Sequence, residues 1–131
     1  MPEHAASIRR TFPAGPGAPG SARRAVTEFL RGADPSALAD VLLAVSEVVT
    51  NCVVHGYRGA PDGRVELEAR RRGDHLLLSV ADDGVGMAPR LDSPGLGLGL
   101  PLVTQVAERV DISSPENGGT RVSMHFSLEG G

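Results

Sequence analysis

The chain has 131 residues, of which 40% are hydrophobic and 22% charged, and this balance is typical of one domain with a hydrophobic core. Its net charge of -3 argues against a broad basic face for nucleic acid or anionic lipid. The chain contains no lysine, which excludes chemistry that needs a lysine ammonium group. No unbroken apolar run reaches the roughly 18 residues that cross a membrane, and one cysteine without a leader segment predicts a cytoplasmic protein. We therefore expect a single domain over residues 1–131, with flexible ends at about 1–6 and 129–131.

The first part of the chain predicts one edge strand and two helices. Weak alternation over residues 7–12 indicates the strand, which ends in a turn cluster at 13–20. Apolar residues at helical spacing follow over 21–31, with Ser21 as the cap of that helix. Asp34 then precedes Pro35, an order that opens helices, and apolar residues continue at helical spacing to about Gly56.

The second part predicts two strand hairpins separated by a glycine-rich segment and a helix. Alternating residues indicate strands at 64–70 and 76–81, joined by a tight turn. A glycine-rich segment covers 84–99, and a helix over about 100–109 leads to strands at 110–113 and 120–128. The fold class is therefore α/β: a two-layer sandwich of a mixed, mostly antiparallel sheet with helices on one face.

A polar stripe lies on the long helix. Glu47, Asn51 and His55 are spaced four apart and are flanked by Leu43 and Val54 instead of by charges. Polar groups in apolar surroundings favour a lined cleft, because their burial is costly without partners. The alternative is a glutamate on the helix surface that hydrogen-bonds to the asparagine one turn later. The stripe alone leaves both interpretations open.

Three further segments carry candidate binding residues. Asp82 ends a strand and is followed by Gly84 and Gly86, so its carboxylate is a candidate acceptor for the exocyclic amine of adenine. By itself, this pattern more often indicates an ordinary Asp-Gly turn. Three alternate glycines precede the last helix, which begins at Leu100: Gly95, Gly97 and Gly99. Free backbone N–H groups at the start of a helix suit phosphate, although these glycines alone indicate only a glycine-rich loop. Thr120 follows Gly119 at the start of the last strand, which by itself is a hairpin turn.

The order of these four segments resembles the GHKL ATPase superfamily of gyrase, heat-shock chaperone, histidine kinase and mismatch-repair ATPases. Within it, residues 43–57 are similar to the anti-sigma-factor serine kinases. The resemblance covers about residues 8–128 and implies a Bergerat-type ATP-binding fold.

The resemblance also implies a role for each matched residue. Glu47 is the general base, and Asn51 holds Mg²⁺ through its side-chain oxygen. Asp82 reads adenine with support from Thr120. The remaining matched positions shape the base pocket or face the phosphates of ATP: Gly84, Gly86, Gly95, Gly97, Gly99 and Leu100. His55 has no chemical step, and a structural hydrogen bond is expected for it.

The function implied is that of an ATP- and Mg²⁺-dependent serine kinase that phosphorylates an anti-anti-sigma (STAS-type) protein and sequesters a sigma factor. Apolar residues of the first helix are candidates for a homodimer contact, for a sigma-factor contact or for the core, and periodicity alone does not separate these. Direct contact with nucleic acid or membrane is not expected. Only eight residues, 87–94, separate Gly86 from Gly95, whereas the better-known kinases have a longer lid. A nucleotide-gated binding module without kinase activity is therefore the alternative. A detached histidine kinase ATPase domain is disfavoured, because no helix pair with a phospho-accepting histidine precedes it.

Overall fold

The computed structural model describes residues 5–55, 63–82, 100–113 and 119–129. Within these ranges the chain forms five strands and three helices. In chain order they are β1 (Ala5–Pro13), α1 (Ala18–Phe29), α2 (Pro35–His55), β2 (Arg64–Arg72), β3 (His75–Asp82), α3 (Leu100–Val106), β4 (Arg109–Ser113) and β5 (Thr120–Ser127).

The five strands form one sheet in the order β1-β2-β3-β5-β4. Each of the four strand pairings in the described part of the chain is antiparallel, and β1 lies at an edge as predicted. Alternate residues of β2 and β5 are buried, because one face of the sheet packs against the helices. The predicted two-layer α/β sandwich is confirmed.

The core lies between α2 and the sheet. Six residues of α2 are fully buried, and they share the core with the inward-facing residues of β2, β3 and β5: Val41, Ala44, Val45, Val48, Val49 and Cys52. Residues Pro35–Val53 are also long and apolar enough to cross a membrane by length and composition, which the sequence analysis did not expect. The core helix of a domain passes that criterion as well, and α2 packs as such a helix.

The start of α2 confirms the predicted cap. Oδ2 of Asp34 accepts hydrogen bonds from the backbone N–H groups of Ser36 and Ala37, each at 3.1 Å. Pro35 occupies the first helical position, where no N–H group is needed. The longest helix therefore begins at the residue that the sequence indicated.

The predicted N-cap of α1 is wrong by four residues. The helix begins at Ala18 with Gly17 as its N-cap, and Ser21 lies inside it. Proline is tolerated in a first helical turn, so Pro19 extends the helix into the segment that was predicted as turns. The apolar residues of α1 pack into the core, including the fully buried Ala22 and Val26, so they give no support to the predicted dimer contact.

Two other boundaries differ from the prediction. Helix α3 ends at Val106, because the backbone N–H of Glu108 already donates to the carbonyl of His125 in the sheet, at 2.8 Å. Strand β1 begins at Ala5, so Ala5 and Ala6 pair with β2 and do not belong to a flexible end.

Candidate functional site

The sheet brings Asp82 and Thr120 together. Asp82 is the last residue of β3 and Thr120 the first of β5, and the two are direct partners in the antiparallel register. Directly opposed residues share a face of a sheet, so this carboxylate and hydroxyl lie side by side on the helix-covered face. Asp82 is 6% and Thr120 3% exposed, which makes the pair a buried polar group at one end of the sheet.

The backbone at Gly119 explains why glycine precedes Thr120. Its φ angle is +84°, a conformation that residues with a side chain rarely adopt. Gly118 lies outside the described residues.

Helix α2 approaches the same end of the sheet. Cys52 is fully buried, and burial raises the pKa of its thiol to about 12, with a further contribution from the negative charge of Asp82. This electrostatic effect links α2 to the end of β3. The sequence signal for this position is that Cys52 directly follows Asn51.

Asn51 has an unused hydrogen-bond donor. Its side chain is 2% exposed, and its Nδ2 atom has no hydrogen-bond partner in the described part of the chain. Leaving such a buried group unsatisfied costs about 1–3 kcal/mol. A bound ligand that offers an acceptor oxygen would remove this cost.

The polar stripe of α2 runs from the surface into the interior. Leu43, which precedes the stripe by one turn, is 38% exposed; within the stripe, Glu47 is partly buried and Asn51 is buried. A hydrogen bond between Glu47 and Asn51 would need Nδ2 as its donor, because a carboxylate only accepts. Since Nδ2 is unpaired among the described residues, the structure favours the lined cleft over the surface hydrogen bond. The side chains of Val54 and His55 lie outside the described part.

The glycine positions of the predicted site also lie outside the described residues: Gly84, Gly86, Gly95, Gly97 and Gly99. Leu100 begins α3, and its side chain is not among those described. The base-pocket and phosphate roles of these residues stay predictions.

The described residues contain no group of three or more His, Cys, Asp or Glu side chains that could hold a metal ion. A cation near Asn51 would therefore take most of its ligands from elsewhere. Magnesium fits this donor set, because it binds in many proteins through one or two side-chain oxygens together with water and the phosphates of a nucleotide.

Comparisons with known proteins show which sequences and structures this chain is similar to. The family model described as "Histidine kinase-like ATPase domain" matches residues 12–126. The chain is 37% identical to an anti-sigma F factor of Clostridium kluyveri, over 79% of this chain and 81% of that protein. It is 33% identical to the anti-sigma F factor of Clostridium beijerinckii, over 77% of this chain and 80% of that protein.

A solved structure shares the fold. The crystal structure of the RsbU and RsbW domains of a Mycobacterium tuberculosis protein matches with a TM-score of 0.74 and 28% identity. The match covers 94% of this chain and 32% of that one, so this chain spans about a third of the solved chain.

Proposed function

The chain belongs to the histidine kinase-like ATPase domain family, and from this premise we propose that it is an ATP-binding protein serine kinase of the anti-sigma-factor type. In this proposal it works in the cytoplasm, phosphorylates an anti-anti-sigma (STAS-type) protein and sequesters a sigma factor. Its relatives named anti-sigma F factor support the regulatory part. The observation that carries the nucleotide part is the buried pairing of Asp82 with Thr120 beside α2.

Asp82 and Thr120 are the proposed contacts to adenine. The Asp82 carboxylate accepts a hydrogen bond from the exocyclic amine, and the neighbouring Thr120 hydroxyl adds a second polar contact to the base or to a bridging water. Their burial strengthens both contacts, because water competes poorly there. Gly84 and Gly86 complete the base pocket in this proposal.

Asn51 is the proposed contact at the phosphate end. Its side-chain oxygen ligates Mg²⁺, and its unpaired Nδ2 donates to a phosphate oxygen. Mg²⁺ held by this oxygen would offset negative charge on the phosphates. The loop that contains Gly95, Gly97 and Gly99 and leads to Leu100 supplies backbone N–H groups to the same phosphates in this proposal.

Glu47 is the proposed general base. It lies one turn before Asn51 on the same helix and is only partly buried, so the hydroxyl of a protein substrate can reach it. The carboxylate takes the proton of the acceptor serine while the γ-phosphoryl group moves from ATP to the serine oxygen; the bond to the bridging oxygen breaks and ADP leaves.

Substitution of Glu47 tests the kinase proposal. With labelled ATP, Mg²⁺ and an anti-anti-sigma partner, we expect the wild type to produce phosphoserine. The Glu47→Ala variant should transfer phosphate about 100-fold more slowly. ATP affinity, measured by calorimetry, should stay close to that of the wild type. Glu28→Ala, an exposed change on α1, is the matched control and should transfer at the wild-type rate. Unchanged transfer by Glu47→Ala would refute the assigned base.

The short lid segment favours one alternative: a nucleotide-gated binding module without kinase activity. The same assay separates the two functions. ATP-dependent capture of a regulator by the wild type, without phosphate on any partner, would support the module and reject the kinase.

A further inference from the structure

An ion pair crosses the open face of the sheet, on the side away from the helices. Nη2 of Arg121 on β5 lies 3.5 Å from Oε1 of Glu66 on β2, and β3 runs between these two strands. The pair spans two strand spacings, roughly 9.5 Å, so it ties together strands that are not neighbours in the sheet. We call Arg121 and Glu66 the strap.

The small side chain of Ala81 lets the strap pass over β3. Glu66 and Arg121 are both in register with Ala81, and directly opposed residues share a face of a sheet, so the three form one row. Each is partly buried, whereas a chain neighbour of each faces the helices and is fully buried: Val65, Val80 and Val122. The methyl group of Ala81 leaves room for the two longer side chains to meet above it.

The strap lies one residue away from the candidate contacts to adenine. Asp82 follows Ala81 as the last residue of β3, and Thr120 precedes Arg121 as the first residue of β5. The ends of strands open more readily than their centres. Opening would also return the Asp82 carboxylate to water, which favours the open form. A contact that holds these two strand ends in register therefore bears directly on the site.

The electrostatics of the strap suit this role. The side chains of Arg121 and Glu66 are 34% and 36% exposed, so water screens the pair less than it screens a fully exposed one. The pKa of Glu68 is lowered mainly by its hydrogen bond from Arg9, and the positive charge of Arg121 contributes as well. Arg121 is therefore attracted by two carboxylates of β2.

We propose that the strap of Arg121 and Glu66 positions the base end of the nucleotide site. By tying β5 to β2 across β3, it holds Thr120 opposite Asp82, so that the hydroxyl and the carboxylate contact adenine in one fixed arrangement. The strap residues do not touch the nucleotide, because they lie on the other face of the sheet. This role deepens the proposed nucleotide binding and rests on it.

Calorimetry with ATP and Mg²⁺ tests the strap through Glu66→Gln and Arg121→Gln. Each change removes the ion pair and keeps most of the side-chain volume. Each should weaken ATP binding about two- to fivefold, the size expected for loss of a partly exposed pair. The double variant should lose no more than either single variant, because both substitutions break the same contact.

Arg9→Gln is the matched control variant. It removes the 2.7 Å ion pair with Glu68 on the same face, but that pair ties only the neighbouring strands β1 and β2. ATP binding by Arg9→Gln should equal that of the wild type, and equal weakening would reduce the strap to general stability of the sheet and overturn the proposal. Stronger ATP binding by Glu66→Gln would also overturn it, since that result indicates only long-range repulsion between Glu66 and the phosphates.

Amide hydrogen exchange of the ligand-free protein separates the strap from the proposed function. Amides at the end of β3 and the start of β5 should exchange about two- to fivefold faster in both strap variants, and at the wild-type rate in Arg9→Gln. Faster exchange without any ATP binding by the wild type would support the hold on Asp82 and Thr120 and reject the nucleotide site. ATP binding by the wild type, with exchange and affinity unchanged in both strap variants, would reject the strap alone.

Discussion

At the residue scale, the most informative contact is the electrostatic effect of Asp82 on Cys52. The two side chains belong to different layers, and both are buried. Burial and the nearby carboxylate both disfavour the thiolate, so Cys52 stays protonated over the physiological pH range. This places the end of α2 and the end of β3 at one site.

The raised pKa of Cys52 predicts a loss of stability in alkali. The ordinary value is 9.0 and the folded value about 12, so above pH 9 the unfolded chain loses a proton that the folded chain keeps. The free energy of unfolding should therefore be unaffected by this group below pH 9 and fall by about 1 kcal/mol by pH 10. Urea unfolding at pH 8 and pH 10 measures the change.

Cys52→Ala is the control for this effect. The variant is less stable at both pH values because it leaves a small cavity, but its stability should fall less between them. An equal fall in wild type and variant would show that other groups cause the pH dependence.

At the element scale, α2 determines how the site is positioned. One helix carries the core residues on one side and the stripe of Glu47 and Asn51 on the other. Its start is set by Asp34, whose carboxylate accepts two backbone hydrogen bonds. A shift in where this helix begins would therefore affect both the core and the candidate site.

Removing the cap should destabilise the protein. We expect Asp34→Ala to lower the free energy of unfolding by about 1 kcal/mol, because two N–H groups of the first turn lose their acceptor. Asp34→Asn should retain most of the stability, since asparagine caps as well. Asp40→Ala, an exposed change on the same helix, should stay within about 0.5 kcal/mol of the wild type in urea unfolding. A loss as large in Asp40→Ala would contradict the role of the cap.

At the scale of the whole molecule, the proposed ligand joins the two layers. Asp82 and Thr120 belong to the sheet, whereas Glu47 and Asn51 belong to α2. A nucleotide that contacts both layers binds only the folded state, and such a ligand stabilises the fold by mass action.

Thermal unfolding should reveal this stabilisation. At about 100 times its dissociation constant, ATP with Mg²⁺ should add about 2.7 kcal/mol and raise the melting temperature by several degrees. A chelator should reduce the shift, and GTP should produce little, because guanine has a carbonyl where adenine has its amine. Asp82→Asn should lose most of the ATP shift, and an equal shift in Asp82→Asn would contradict the adenine contact.

Sequence patterns predicted most of the elements, since their signals act between near neighbours. Strict alternation identified β2, and the Asp34-Pro35 pair identified the start of α2, both confirmed. The predicted start of α1 was wrong because Pro19 was assigned to a turn, although proline is also tolerated in the first turn of a helix. The predicted end of α3 was wrong because a hydrogen bond between the backbone N–H of Glu108 and the carbonyl of His125 in β5 ends the helix earlier.

The sequence by itself determined the fold class, the family and the candidate residues, because residue periodicity and the order of short motifs are properties of the chain. Only the tertiary structure decided that Asp82 faces Thr120, that Asn51 is buried with an unpaired donor, and that Arg121 pairs with Glu66 across β3. Each of these depends on strand register or on the packing of one layer against another. Both properties arise from contacts between residues far apart in the chain, which no local pattern specifies.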